Sequence, residues 1–266
     1  MRWMTFTLTL TLAALTAGSA HGQIAYSLGT YTQNFNSLST TGTDNAWVNN
    51  STIPGWYATR TEYRASDGTG NTGALYSFGV AGAGPVTDRA LGSIASGNTG
   101  TVRYAMQLRN DSGSPISEVL VSYWGEQWRN GGSTFLNVLT VDYQVTSDSS
   151  ATPFLSGTYI AVPALTFASP QQGGSPGPLD GNAAANRVFL TTTINVGTWN
   201  PGQYLWIRWT DLDDTGNDNG LAIDDVSFAV IPEPHTMVSL GLIFVGGWGL
   251  RRWRRISQQT EAMLED

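Results

Sequence analysis

The amino-acid sequence predicts an all-β protein. Residues 23–231 are expected to form a single antiparallel β-sandwich, jelly-roll-like, flanked by an N-terminal signal helix and a C-terminal transmembrane helix. Between the two ends, short runs alternate apolar and polar side chains, and helical periodicity is nearly absent. Glycine, proline, asparagine and aspartate separate these runs, as expected for strands joined by turns. We find no internal repeat and no clear linker, which favours one domain.

The alternation is clearest in Thr101–Asn110, Leu136–Val145, Arg187–Val196 and Tyr204–Thr210. In the first run the apolar side comprises Val102, Tyr104, Met106 and Leu108. One apolar and one polar face per strand is typical of an antiparallel sandwich, and the number of runs indicates two sheets. Residues 169–181 (SPQQGGSPGPLDG) have the composition of a surface loop.

Residues 1–22 are expected to be a secretion signal. Arg2 is followed by the apolar stretch Phe6–Leu15 and then by the small residues Ala17–Ala20. Cleavage is predicted between Gly22 and Gln23. The alternative is an amphipathic strand, because threonine alternates with apolar residues from position 5 to 12, but alternation does not explain the run of small residues.

Three features follow one another in residues 232–266. Pro232-Glu233-Pro234 ends the β-structure, since proline has no N–H for a ladder. The uncharged run Met237–Leu250 predicts a transmembrane helix at about 236–250, near the minimum length for a bilayer. The basic residues that follow are expected to stay cytoplasmic, and they are Arg251, Arg252, Arg254 and Arg255.

This order of features resembles the PEP-CTERM sorting signal of Gram-negative bacteria that make extracellular polysaccharide. The resemblance covers about the last 35 residues, and it implies that a membrane transpeptidase of the exosortase type recognises Pro232, Glu233 and Pro234. It also implies an inner-membrane intermediate, followed by placement at the cell surface or in the extracellular matrix. An ordinary C-terminal membrane anchor is the alternative.

Composition excludes several kinds of function for residues 23–231. This stretch contains no histidine, lysine or cysteine, which excludes ordinary zinc sites, Ser-His-Asp or Cys-His nucleophiles and Schiff-base lysines. Its formal charge of −8 argues against nucleic acid as a partner. Carboxylate chemistry, as in glycosidases, and oxygen-ligated metals remain.

An acidic loop near the end of this stretch predicts structural calcium. Asp211, Asp213, Asp218 and Asp224 are the expected ligands, since calcium takes six to eight oxygen atoms. The segment Leu221–Phe228 resembles the last strand of carbohydrate-binding jelly-roll modules, which implies a calcium shared with groups near the first strand, here Gln33–Leu38. The alternative is that these side chains cap turns.

A second candidate site lies in Ser122–Arg129. Period two places Trp124, Glu126 and Trp128 on one face of a strand, and aromatic rings beside a carboxylate are typical of sugar-binding sites. The alternative is that both tryptophans fill the core while Glu126 pairs with an arginine. No second carboxylate for a glycosidase is evident beside Glu126.

The sequence therefore favours an exported, non-enzymatic protein of the cell surface or exopolysaccharide matrix. A carbohydrate-binding module is the alternative, and a carboxylate-based glycosidase is a further one. Extracellular polysaccharide is the expected partner beside the exosortase.

Overall fold

The computed structural model describes residues 23–80 and 88–231. Its strands are β1 (Ile24–Tyr26), β2 (Thr30–Gln33), β3 (Asn45–Ala46), β4 (Trp56–Ala58), β5 (Glu62–Ser66), β6 (Ala74–Phe78), β7 (Ala90–Ile94), β8 (Val102–Asn110), β9 (Ile116–Asn130), β10 (Val138–Thr146), β11 (Ile160–Ala161), β12 (Phe167–Ala168), β13 (Gly177–Pro178), β14 (Arg187–Trp199), β15 (Tyr204–Asp211) and β16 (Gly220–Val230). One helical turn, α1 (Thr152–Leu155), and a 3-10 turn (Pro163–Leu165) lie between β10 and β12. The described part of the chain is nearly all β, as predicted.

The strands form two sheets. In the seven-stranded sheet the order is β1-β8-β15-β10-β11, with β4 also paired to β8 and β12 to β10. In the nine-stranded sheet the order is β13-β9-β16-β7-β6-β5-β3, with β14 also paired to β9 and β2 to β16. Neighbours in each sheet are mostly distant in sequence, so the sandwich is held by long-range pairing.

Apolar side chains at alternate positions of the strands form the core between the two sheets. The predicted apolar side of β8 is buried, and so is one side of β15; these residues are Val102, Tyr104, Met106, Leu108, Leu205, Ile207 and Trp209. Trp209 stacks on Trp56 with ring centroids 5.6 Å apart. Large aromatic rings thus supply much of the buried apolar area, which is the main source of stability in a chain without cysteine.

The prediction that helix is confined to the two ends is wrong at α1. Trp206 points away from the main core, on the opposite side of β15 from Trp209. Phe154 of α1 and Tyr57 cover the Trp206 ring and form a second, smaller cluster with it. The short helix is therefore explained by a large aromatic side chain that β15 leaves on the outside of its sheet.

The prediction of a wholly antiparallel sandwich is wrong at two strand pairs, since β1 pairs with β8, and β5 with β6, in parallel. For β5 and β6 the reason is the connection, residues 67–73. Seven residues can span more than 20 Å when extended, about the length of a strand, so the loop returns the chain to its starting end.

Two smaller expectations also change. The predicted first strand Gln33–Leu38 is a strand only at Gln33, because Phe35 adopts a left-handed conformation (φ 53°) and begins a turn that buries Leu38. The predicted loop 169–181 contains the short strand β13 and is otherwise irregular.

No helix in the stretches 23–80 and 88–231 is long and apolar enough to cross a membrane. The predicted transmembrane helix at about 236–250 lies outside these stretches.

Candidate functional site on the nine-stranded sheet

Trp124, Glu126 and Trp128 alternate along β9, as predicted. Trp124 is registered with Phe189 on β14 and with Asp224 on β16. Registered partners in an antiparallel pair project from the same side of the sheet. These residues therefore share the side that faces away from the core, which we call the outer face.

An aromatic and cationic group occupies the solvent-exposed part of this face. The Trp124 ring is half-buried, and the Phe189 side chain beside it is 50% exposed, with ring centroids 5.2 Å apart. The Arg187 guanidinium lies over the Trp124 ring, 4.4 Å from its centroid. A cation over the negative face of an aromatic ring is favourable, and this contact holds both side chains in place.

Two buried carboxyl groups lie next to this group. Glu126 is 1% exposed and accepts a hydrogen bond from Trp128 Nε1 at 2.9 Å. Burial raises the pKa of Glu126 to about 7, and burial followed by the charge of Glu126 raises the pKa of Asp224 to about 9. Asp224 Oδ1 is buried and has no hydrogen-bond partner among the described residues. The structure thus supplies the second carboxyl that the sequence did not reveal.

The Trp128 ring is buried (1% exposed) and stacks on Phe78 with a 2° interplanar angle. Gly181 covers it, since a Cβ at that position would lie 2.3 Å from Trp128 Cε2. Of the three sugar-contact residues that the sequence indicated, only Trp124 reaches solvent. Glu126 and Trp128 are buried further along the same strand.

A row of four hydroxyl side chains crosses the outer face beside the aromatic group. The registers join Thr32 to Ser227, Ser227 to Ser122 and Ser122 to Thr191, on four neighbouring strands. Neighbouring strands lie about 4.8 Å apart, so the two hydroxyl side chains at the ends of the row are about 14 Å apart. Ser122 and Thr191 are the neighbours of Trp124 and Phe189 on the same side of β9 and β14. The hydroxyl groups of this row therefore adjoin the aromatic rings.

Sequence reasoning missed Arg187 and Phe189. Alternation in the run Arg187–Val196 predicts an apolar side that begins at Val188, yet Val188 is 42% exposed. The signal was present on the other side of the strand, where Phe189 stands between Arg187 and Thr191. An aromatic residue at a polar position of an amphipathic strand indicates an exposed ring.

The predicted calcium ligands do not all lie in one place. Asp211 is buried and accepts a hydrogen bond from Ser93 Oγ at 2.6 Å, while Asp218 accepts one from the Asp214 N–H at 3.2 Å. Burial raises the pKa of Asp211 to about 8 and that of Asp218 to about 7, with further contributions from neighbouring aspartates. Asp224 lies instead beside Glu126.

Within residues 23–80 and 88–231, no three or more acidic or histidine side chains are grouped so that they could hold a metal ion. Since calcium also accepts backbone and amide oxygens, calcium at Asp211, Asp213 and Asp218 stays a prediction.

The other predicted sites lie outside the residues that the structure describes. These are the secretion signal at 1–22, the sorting motif Pro232-Glu233-Pro234 and the arginines Arg251, Arg252, Arg254 and Arg255.

No protein-family model and no curated protein matches the chain. Among solved structures, it is similar to the K2 cleaved adhesin domain of Lys-gingipain, at 16% identity and a TM-score of 0.36, covering 76% of this chain and 98% of that one. It is similar to the xylan-binding module CBM15, at 9% identity and a TM-score of 0.35, covering 77% and 99%. It is also similar to the enzymatically active domain of bacteriophage CBA120 tailspike protein 4, at 13% identity and a TM-score of 0.34. That alignment covers 74% of this chain but 22% of the tailspike.

Proposed function

We propose that residues 23–231 bind polysaccharide on the outer face of the nine-stranded sheet, with Trp124 as the stacking ring. The observation that carries this proposal is the group of Trp124, Phe189 and Arg187, in which two aromatic rings reach solvent beside a row of hydroxyl side chains. Adjacent exposed rings with polar neighbours form an apolar patch of the kind that marks ligand-binding surfaces.

The surroundings of Trp124 suit a sugar chain. An indole ring covers the apolar C–H face of a sugar, and nearby polar groups bind its hydroxyls. Arg187 supplies N–H donors, and Ser122 and Thr191 supply hydroxyls in the adjacent row. Because Arg187 is already held over the ring, less conformational entropy is lost when a ligand binds.

The proposed role is binding without catalysis. A glycosidase needs two carboxyl groups in contact with the scissile bond or the attacking water. Glu126 and Asp224 are 1% and 4% exposed, so neither carboxyl group is open to a bound sugar chain. We therefore assign them to holding the site in shape.

Affinity electrophoresis of the full chain in gels containing neutral plant and bacterial polysaccharides tests the proposal. We expect one or more of these polymers to retard the protein, and Trp124→Ala to abolish the retardation. Phe135→Ala is the matched control, because Phe135 is 56% exposed but lies in the loop between β9 and β10 and not on a strand of the outer face. Equal retardation of wild type and Trp124→Ala would contradict the site. Release of reducing sugar that is lost in Glu126→Gln would instead show an enzyme.

We further propose that the protein acts outside the cell, exported by residues 1–22 and sorted by residues 232–266 through an exosortase-type transpeptidase. The support is the order of Pro-Glu-Pro, an apolar run and arginines in the sequence. Fractionation of cells that express the tagged chain, with and without residues 232–266, tests this part. An unchanged distribution of the truncated chain would contradict the sorting role without bearing on polysaccharide binding.

A further inference from the structure

A polar cavity of about 570 Å³ lies over β5 and β6, toward the far edge of the nine-stranded sheet. Arg64, Asp67, Tyr76 and Arg89 line it, together with several threonines. Arg64 is registered with Tyr76 across the parallel pair, and the Tyr76 ring stacks on Phe78. Phe78 in turn stacks on Trp128, so the cavity opens on the same outer face as Trp124.

Among the described residues that line the cavity, two arginines accompany one acidic residue, and the neighbouring Asp88 also acts on the charge of Arg89. Asp67 is the only acidic residue among its described lining residues. Its carboxylate accepts hydrogen bonds from the Thr69 hydroxyl at 2.6 Å and the Thr69 N–H at 3.1 Å, and these bonds lower the pKa of Asp67. Asp67 is therefore ionised and already paired with donors, while Arg64 and Arg89 each contribute a positive charge.

The two guanidinium groups that line the cavity are held differently. Arg64 makes no side-chain hydrogen bond or ion pair with any described residue. Arg89 is 3% exposed and is held by Ser77, to which its Nε donates at 2.9 Å. Its Nη2 donates to the Ser77 carbonyl, so this guanidinium is fixed against β6. One fixed and one free guanidinium among the residues that line this cavity suit a ligand with an anionic group.

We propose that this cavity binds an anionic sugar, one that carries a carboxylate or a sulfate. Guanidinium groups bind such oxyanions through charge-assisted hydrogen bonds. Threonine hydroxyls at Thr41 and Thr43 line the same cavity and suit the neutral hydroxyls of the ring.

This inference rests on the proposed function in one respect, since it takes the anionic unit to belong to the polysaccharide held at Trp124. Strands β9 and β5 are four positions apart in the sheet, which is about 19 Å. An extended oligosaccharide that crosses the strands can reach both places.

The test measures binding of the full chain by titration calorimetry to three oligosaccharide series of equal length. These are oligogalacturonate, sulfated oligogalactan and neutral oligogalactan. We expect at least one anionic series to bind more tightly than the neutral one, and increasing salt to reduce that advantage. Arg64→Gln is expected to weaken the anionic complex about tenfold, the effect of one charge-assisted hydrogen bond. It should leave the neutral complex unchanged.

Arg103→Gln is the matched control, because Arg103 also lies half-buried on a strand but in the other sheet. An equal loss in both variants would show only a general effect of net charge and would overturn the proposal. So would equal affinity for neutral and anionic series. If Arg64→Gln weakens anionic binding while Trp124→Ala changes nothing, the cavity stands and the proposed site at Trp124 fails.

Discussion

Asp224 of β16 lies diagonally across from Glu126 of β9, and after burial the charge of Glu126 is the largest cause of the raised pKa of Asp224. Both carboxyl groups are buried on the outer face, and Asp88 and Asp225 add further negative charge nearby. The folded protein therefore favours their protonated forms at a pH where the unfolded chain has released both protons.

This relationship predicts that stability falls as the pH rises. The pKa of Asp224 is about 9 in the folded protein and 3.8 in its ordinary state, so the folded protein keeps a proton that the unfolded chain loses above about pH 4. Between these values each pH unit costs up to about 1.4 kcal/mol from this group. Urea unfolding at pH 5 and at pH 8.5 should show lower stability at pH 8.5. Asp224→Asn should reduce the difference, and the exposed control Asp44→Asn should not. Parallel curves for wild type and Asp224→Asn would refute the coupling.

Gly181→Ala is expected to destabilise the protein. The new methyl group would lie 2.3 Å from Trp128 Cε2 and Nε1, so the loop or the ring has to move. Overpacking of this kind costs about 1–3 kcal/mol, which lowers the melting temperature by several degrees. Gly177→Ala is the matched control, since Gly177 has no atom within 4 Å of its Cβ position. Equal melting temperatures for the two variants would mean that Gly181 does not cover Trp128 closely.

Two arginine ion pairs are expected to contribute very unequally to stability. Arg208 donates to both oxygens of Asp142, at 2.9 and 2.6 Å, and its guanidinium lies 3.5 Å from the centroid of the Tyr159 ring. Arg208→Ala should cost about 2 kcal/mol, because the pair is largely buried and Asp142 loses its charged hydrogen-bond donor. Arg109→Ala should cost less than about 0.5 kcal/mol, because that pair is exposed. Chemical denaturation of both variants measures the difference, and equal losses would contradict it.

The sequence prediction of calcium is tested by melting the full chain in EDTA and in millimolar calcium. Calcium bound only to the folded protein stabilises it by about 2.7 kcal/mol at a hundredfold excess over the dissociation constant. The predicted result is a higher melting temperature in calcium that Asp218→Asn abolishes. Asp224→Asn should retain the increase, because Asp224 lies beside Glu126 and away from Asp211. The same melting temperature in both buffers would leave turn capping as the role of the acidic loop.

Local patterns in the sequence were sufficient to predict much of the fold. The alternation in β8 identified its buried side correctly, because a strand with one side in the core requires a period of two. It also placed Trp124, Glu126 and Trp128 on one side of β9. The parallel pairing of β5 with β6 was missed, since loop composition does not specify the direction in which the chain returns.

The composition of the site depends on pairing between distant strands. Asp224 neighbours Glu126 and Phe189 neighbours Trp124 only because β16 and β14 pair with β9 in particular registers. The burial of Trp128 follows from a third segment, the loop that carries Gly181. None of these pairings leaves a local signal in the sequence. The sequence of β9 therefore predicted a sugar contact on that strand, but it did not predict the residues of other strands that surround the contact.

The half-buried position of Trp124 also gives the protein an optical reporter. The other tryptophans within residues 23–80 and 88–231 are all buried, at positions 47, 56, 128, 199, 206 and 209. A neutral collisional quencher such as acrylamide therefore reaches the indole of Trp124 far more readily than those six. Within the described residues, quenching therefore isolates the light emitted at the proposed binding site, and the same measurement on Trp124→Phe subtracts the light of Trp3, Trp248 and Trp253. A ligand that covers this ring can be followed by the loss of quenching, without a label on either molecule.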